Sequence, residues 1–218
     1  MRKTAYFISL SIILLSFAFA FYFYPQLPEI ISSHWDSNGV VNGTLGSWSI
    51  FLIPVLLTLF FFMFLFIPKL DPMKENIKKF NDHYDDFVLI FNLFMFYTFA
   101  LVVIWNMGYS FNMTVGIMPG LAILFYFIGV MITKTERNYT IGIRTPWTLE
   151  NDKVWEKTSK VSGGLFKIIG LSCLFLMFFP SYSFALLFSL IMFSVVFIFV
   201  YSYLEYGKLN KESKKRTK

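Results

Sequence analysis

His34 stands two residues before Asp36 and five after Glu29, the nearest approach in this chain to a metal-ligand cluster. A zinc site takes three or four convergent ligands, mostly His or Cys. One His and two scattered acids do not supply that set, and turn formation and interfacial anchoring account better for these residues. The second histidine, His83, lies among Lys, Asn and Asp and reads as a solvated residue. The one cysteine, Cys173, sits inside an apolar run, which excludes an internal disulfide and a Cys-based zinc site. There is no His-Glu-x-x-His, no Gly-x-Ser-x-Gly and no phosphate-cradling Gly loop, and the serines have no base beside them. Asn92 is the one strongly polar amide well inside an apolar stretch, and Asn106 sits near the end of one. The inventory points away from an enzyme and away from a resident metal or cofactor.

What remains is a polar stretch from Lys134 to Lys160, where Lys134, Arg137, Arg144, Lys153, Lys157, Lys160 and the acids Glu136, Glu150, Asp152, Glu156 surround Asn138-Tyr-Thr-Ile-Gly-Ile and Arg144-Thr-Pro-Trp147. It exceeds what a membrane chain needs to turn round. For Arg144, composition favours a clamp on headgroups or carbonyls over a contact with a ligand or cytosolic partner.

The elements that must position this stretch are greasy. The chain is 56% hydrophobic and 15% charged, whereas a soluble domain carries about a quarter charged residues. Six stretches approach the ~20 apolar residues that cross a bilayer: Ala5–Tyr24, Ser49–Ile67, Phe87–Trp105, Val115–Thr133, Ser162–Phe179 and Tyr182–Leu204. The fifth is the weakest, with Gly163, Gly164 and Lys167, the last near its start where a long side chain reaches headgroups. All 19 Lys and Arg fall on one side of this six-span arrangement. The positive-inside rule therefore gives N-in, C-in topology, and the charges face anionic cytoplasmic lipid rather than nucleic acid. The expected fold is an all-α integral membrane protein of the cell membrane, multi-pass, in two three-helix halves, 1–108 and 109–218, with large inner loops. Ala18-Phe19-Ala20 is a possible signal-peptidase site, but the apolar run continues through Tyr24 and favours an uncleaved anchor.

Outside the spans, Pro25–Trp48 is the sizeable outer loop. Pro25 and Pro28 end the first helix, Ile30–Trp35 suits a short strand, and Asp36-Ser-Asn-Gly39 and Asn42-Gly43 are turn signals. Trp35 and Trp48 suit the headgroup level. On the inner side, Asp71 caps a helix whose stripe Met73, Ile77, Phe80, Tyr84 suggests an amphipathic segment on the inner leaflet. Pro119-Gly120 suggests a kink in the fourth span. Pro146 forces Thr145 out of helical geometry, and Asn151 or Asp152 caps a new helix carrying the favourable pair Glu156 and Lys160. The tail from Lys211 is polybasic and expected to be mobile.

Two segments resemble a known family. Asn138-Tyr-Thr-Ile-Gly-Ile-Arg-Thr-Pro-Trp-Thr-Leu149, with Val154-Trp155 and Thr158, resembles the signature of SdpI-type immunity proteins. Pro28-Glu-Ile-Ile-Ser-Ser-His34-Trp35-Asp-Ser-Asn-Gly39 resembles the uncharacterised membrane domain that precedes it in longer members. Together with the six spans they cover nearly the whole chain. Ser159 departs from the His or Asn often found there. The resemblance implies immunity to a secreted antimicrobial peptide toxin that collapses the proton-motive force. It also implies a receptor role, in which the toxin-bound protein sequesters a cytosolic transcriptional repressor at the membrane. The residues it nominates for ligand or partner contact are Asn138, Gly142, Arg144, Thr145, Pro146, Trp147 and Trp155 on the inner side and His34 and Trp35 on the outer. Two other readings stay open: a transporter or flippase for a hydrophobic peptide or lipid, and an envelope-homeostasis protein.

Overall fold

The computed structural model describes residues 2–216, with side chains described as far as Lys211. Among the described residues six helices are long and apolar enough to cross a membrane, and the chain is a multi-pass membrane protein. The first, α1 (Lys3–Phe23), is apolar all round, but one face is built from small residues. Ala5, Ser9, Ser16 and Ala20 are buried there with Ile12 and Ile13, while Phe7, Leu14, Phe21 and Tyr22 point outward. Small residues let helix backbones approach closely where lipid offers no hydrophobic drive to association.

Pro25 ends this helix through a short 3-10 turn, and the chain forms an antiparallel hairpin of β1 (Ile30–Trp35) and β2 (Val41–Gly46). The strand expected at Ile30–Trp35 is present, now with its partner. Asp36 Oδ1 accepts from the N–H groups of Asn38 and Val40, each at 2.9 Å, and Gly39 adopts φ +76° to close the turn. A 3-10 segment, Ser47–Phe51, leads into α2 (Leu52–Leu70).

The inner connection differs from the expected amphipathic helix. Helix α3 spans only Lys74–Lys79, the chain turns at Phe80, and α4 (Asn81–Asn106) begins at once. Of the stripe, Ile77, Phe80 and Tyr84 are almost fully buried, packed with Val88, Met131 and Ile141, while Met73 is half-buried at its edge. The stripe is core rather than a leaflet-facing surface, because the later polar loop lies across it.

Helix α5 (Met113–Ile132) is capped by Asn112, whose Oδ1 accepts from Val115 N, and it continues through Pro119-Gly120 without a break. A short α6 (Pro146–Glu150) precedes α7 (Asp152–Leu176) and the long α8 (Pro180–Arg216). Side chains of the tail beyond Lys211, expected to be mobile, lie outside the described residues. Helices α5 and α7 meet almost backbone to backbone. A Cβ on Gly170 would stand 2.6 Å from Ala122 O, and one on Gly129 would stand 2.8 Å from the Lys167 Cγ. The Lys167 stem thus lies along α5, and α7 begins at Asp152, ten residues before the apolar stretch that starts at Ser162.

Candidate partner interface

The polar loop between α5 and α7 is a folded body. Its centre is Asn138, fully buried. The side-chain Nδ2 donates to Glu136 O and Ile141 O, both at 2.8 Å, while Oδ1 accepts from Thr140 N at 2.9 Å and Ile141 N at 2.6 Å. The two donors and two acceptors fix which end of the amide is which. The chain then passes through Gly142 at φ +111°, a backbone region L side chains rarely adopt. A Cβ there would also crowd Trp155 at 3.0 Å. Trp155, from the second turn of α7, is buried beneath it and donates Nε1–H to Thr135 O at 2.8 Å.

Thr145 is extended, as a residue before Pro must be, and it is the N-cap of α6 with Pro146 at the first helical position. Thr148 completes a capping box: its N–H donates to Thr145 Oγ1 at 3.2 Å and its hydroxyl accepts from Thr145 N at 2.8 Å. Asn151 Oδ1 caps α7 through Lys153 N and Val154 N, the role expected of Asn151 or Asp152. Trp147 turns toward α8, its ring 4.9 Å from Phe199 and 5.1 Å from Tyr203. Arg144 is exposed, and its Nη1 donates to Tyr139 O at 2.7 Å, the carbonyl clamp that composition favoured.

The body is stitched to distant segments. Asp71, buried at the end of α2, has Oδ1 on Met73 N at 2.7 Å and Oδ2 on Tyr139 N at 2.9 Å and Thr140 Oγ1 at 2.7 Å. Asn76 Nδ2 donates to Arg137 O at 2.7 Å, and Arg137 Nε lies 2.6 Å from Asp152 Oδ1. Glu205 on α8 holds Lys157 at 2.8 Å and Lys208 at 2.7 Å, and Tyr206 donates to Glu150 at 2.6 Å. At the start of the chain Arg2 pairs with Asp86 and lies near Asp82 and Asp85. The Asp86 hydrogen bond, aided by the attraction of all three carboxylates, raises its pKa further. From the sequence, Asp71 is a cap and nothing more, Arg137 is one charge of the polar stretch, Thr148 is one letter of the motif, and Thr135 and Tyr206 carry no signal. Their partners lie far along the chain or carry ordinary loop chemistry.

Residues 134–203 match the model of the SdpI/YfhL protein family. The SdpI family resemblance is not confined to that segment. Residues 11–58 match a domain of unknown function (DUF1648). The chain is 27% identical over 204 residues to the Immunity protein SdpI of Bacillus subtilis (strain 168), across 93% of this chain and 96% of that protein. No solved structure matches. The SdpI-like motif is therefore the inner body just described, with Asn138, Gly142, Thr145, Pro146 and Trp155 holding it together and Arg144 on its surface.

His34 and Trp35 belong to the other end. Helix α4, with its 26 residues, separates the two ends by about 39 Å at 1.5 Å per residue. His34 is exposed, with Nδ1 2.9 Å from Ser33 Oγ. Trp35 packs edge-to-face on Trp105, centroids 5.7 Å apart. Asn106 anchors the hairpin, its Oδ1 accepting from Ser32 N at 2.7 Å and its Nδ2 donating to Ser32 O at 3.0 Å. Asn112 adds a bond to Asn38 O at 2.8 Å. Trp48 is the tryptophan that stays open at this end, 58% exposed.

Proposed function

We propose that this chain is a membrane immunity protein that protects its bacterium from a secreted antimicrobial peptide toxin. The observation that carries the reading is the similarity to the Immunity protein SdpI along almost the full length of both chains, spanning the outer hairpin and the inner body alike. The end bearing the N-terminus and the inner body faces the cytoplasm, in keeping with the placement of every Lys and Arg. The hairpin, with His34 and the exposed Trp48, is the surface a toxin meets first. Residues 1–108 form the receiving half and 109–218 the reporting half. Arg144, Tyr139 and the rim of the inner body offer the contact for a cytosolic repressor, held at the membrane when toxin is bound. Anionic lipid lies around the same end.

The test is growth of a sensitive bacterium challenged with a panel of membrane-active peptide toxins, with and without the protein in its membrane. Survival against one toxin, lost on truncating the hairpin tip, supports the reading. Equal killing by every toxin refutes it. Localisation of the repressor in Arg144→Ala cells separates immunity from signalling.

A further inference from the structure

A cleft of about 520 Å³ opens at the charged end between the start of α1, the end of α2, α3 and the start of α4. Its lining is of two kinds. Lys69, Lys74 and Lys78 supply cations, and Tyr6, Phe64 and Leu65 supply an apolar floor continuous with the membrane-spanning faces of α1 and α2. Lys78 pairs with Glu75 at 2.7 Å, and that hydrogen bond holds the Glu75 carboxyl below its ordinary range. Lys69 and Lys74 stand in no salt bridge among the described residues, and Lys69 Nζ rests over the Phe66 ring. Asp85 also lines the cleft; its Oδ2 accepts from Arg2 N and Asn81 Nδ2 while its buried Oδ1 has no hydrogen-bond partner among the described residues, and its charge is met by Arg2, which likewise faces Asp82 and Asp86.

We propose that this cleft is a binding site for one anionic glycerophospholipid, with the phosphodiester among Lys69, Lys74 and Lys78 and an acyl chain along Tyr6, Phe64 and Leu65. Two features make the occupant a lipid rather than a free phosphate ester: the cations and the apolar floor belong to one cavity, and that cavity straddles the boundary where α2 passes from apolar residues to Pro68-Lys69. A diffuse basic surface would have the lysines without the floor. The site is independent of the immunity reading. A bound lipid would brace α1, α2 and α4 directly beneath Asp71, the anchor of the inner body.

The experiment is native mass spectrometry of the full chain in detergent, titrated separately with dioleoyl phosphatidylglycerol, dioleoyl phosphatidylcholine and glycerol 3-phosphate. A lysine near an anionic surface contributes about fivefold in binding, so three contribute on the order of a hundredfold. The expected result is one tightly held phosphatidylglycerol, weakened at least ~10-fold in K69Q/K74Q/K78Q and retained in K69R/K74R/K78R and in the control K134Q/K153Q/K160Q. The arginine variant shows that charge and not folding is being read. The site is overturned if the glutamine variant binds as wild type does, or if the control loses as much. It is equally overturned if phosphatidylcholine binds as tightly as phosphatidylglycerol, or if glycerol 3-phosphate alone does.

Discussion

Replacing Asn138 with Ala should unfold the inner body, while replacing Arg144 with Ala should not. The Asn138 side chain serves four backbone groups, all within 2.6–2.9 Å. The N–H and C=O of Ile141 are the inner pair, since Ile141 is buried, and each loses a partner it cannot replace with water. An orphaned buried group costs about 1–3 kcal/mol. The Glu136 carbonyl and Thr140 N–H lie nearer solvent and cost about 0.5 kcal/mol each. The sum is about 3–7 kcal/mol, reduced only by collapse of the small void. Arg144 makes one bond to Tyr139 O from an exposed position, worth about 0.5 kcal/mol. Asn138→Asp is a finer probe. It keeps the oxygen that accepts from Thr140 N and Ile141 N but sets a second carboxylate oxygen against the Glu136 and Ile141 carbonyls, so its folded form favours the protonated acid. A raised folded pKa means that destabilisation is full at neutral pH and shrinks as pH falls. The assay is unfolding of the detergent-solubilised protein with sodium dodecyl sulfate, followed by the fluorescence of its five tryptophans, among them the buried Trp155. An Asn138→Ala midpoint equal to wild type, or an Arg144→Ala loss as large as that of Asn138→Ala, would refute the reasoning.

Other parts of the molecule make equally definite demands. Gly170→Ala should cost about 2–3 kcal/mol through overpacking, because its Cβ would stand 2.6 Å from Ala122 O and 2.7 Å from Tyr126 N, both backbone; the same unfolding titration reads it. Asn106→Ala should speed amide exchange in Ile30–Trp35 about 10-fold while leaving exchange in α7 unchanged, since Asn106 holds Ser32 at both its N–H and C=O. Trp147→Ala should free α6 from Phe199 and Tyr203 at about 2 kcal/mol, seen as protease cleavage near Glu150 that wild type resists.

The six spans, the clustering of charge at one end and the strand at Ile30–Trp35 were legible because each rests on local composition or period. Thr145, Pro146 and Asn151 were legible for the same reason, since caps are read within a few residues. The role of Asn138 was only half visible. The motif marked the residue, but a buried amide serving its own loop looks in sequence like an exposed one waiting for a partner. Ile77, Phe80 and Tyr84 show the converse error. Their spacing was right, yet an apolar stripe does not say whether lipid or protein covers it, and here the cover is Met131 and Ile141. Asp71 to Thr140 is a tertiary contact between residues far apart in the chain, with no local sign of its partner.

The most direct test of protection is membrane potential. A sensitive bacterium, with and without this protein in its membrane, is loaded with a voltage-sensitive dye and exposed to each of a panel of secreted peptide toxins. The expected result is that cells bearing the protein hold their potential against one toxin at a concentration that depolarises the others, and that Arg144→Ala cells, with the fold intact, hold it too. Depolarisation by every toxin at the same concentration in both strains, with the protein present in the membrane, would contradict the immunity assignment.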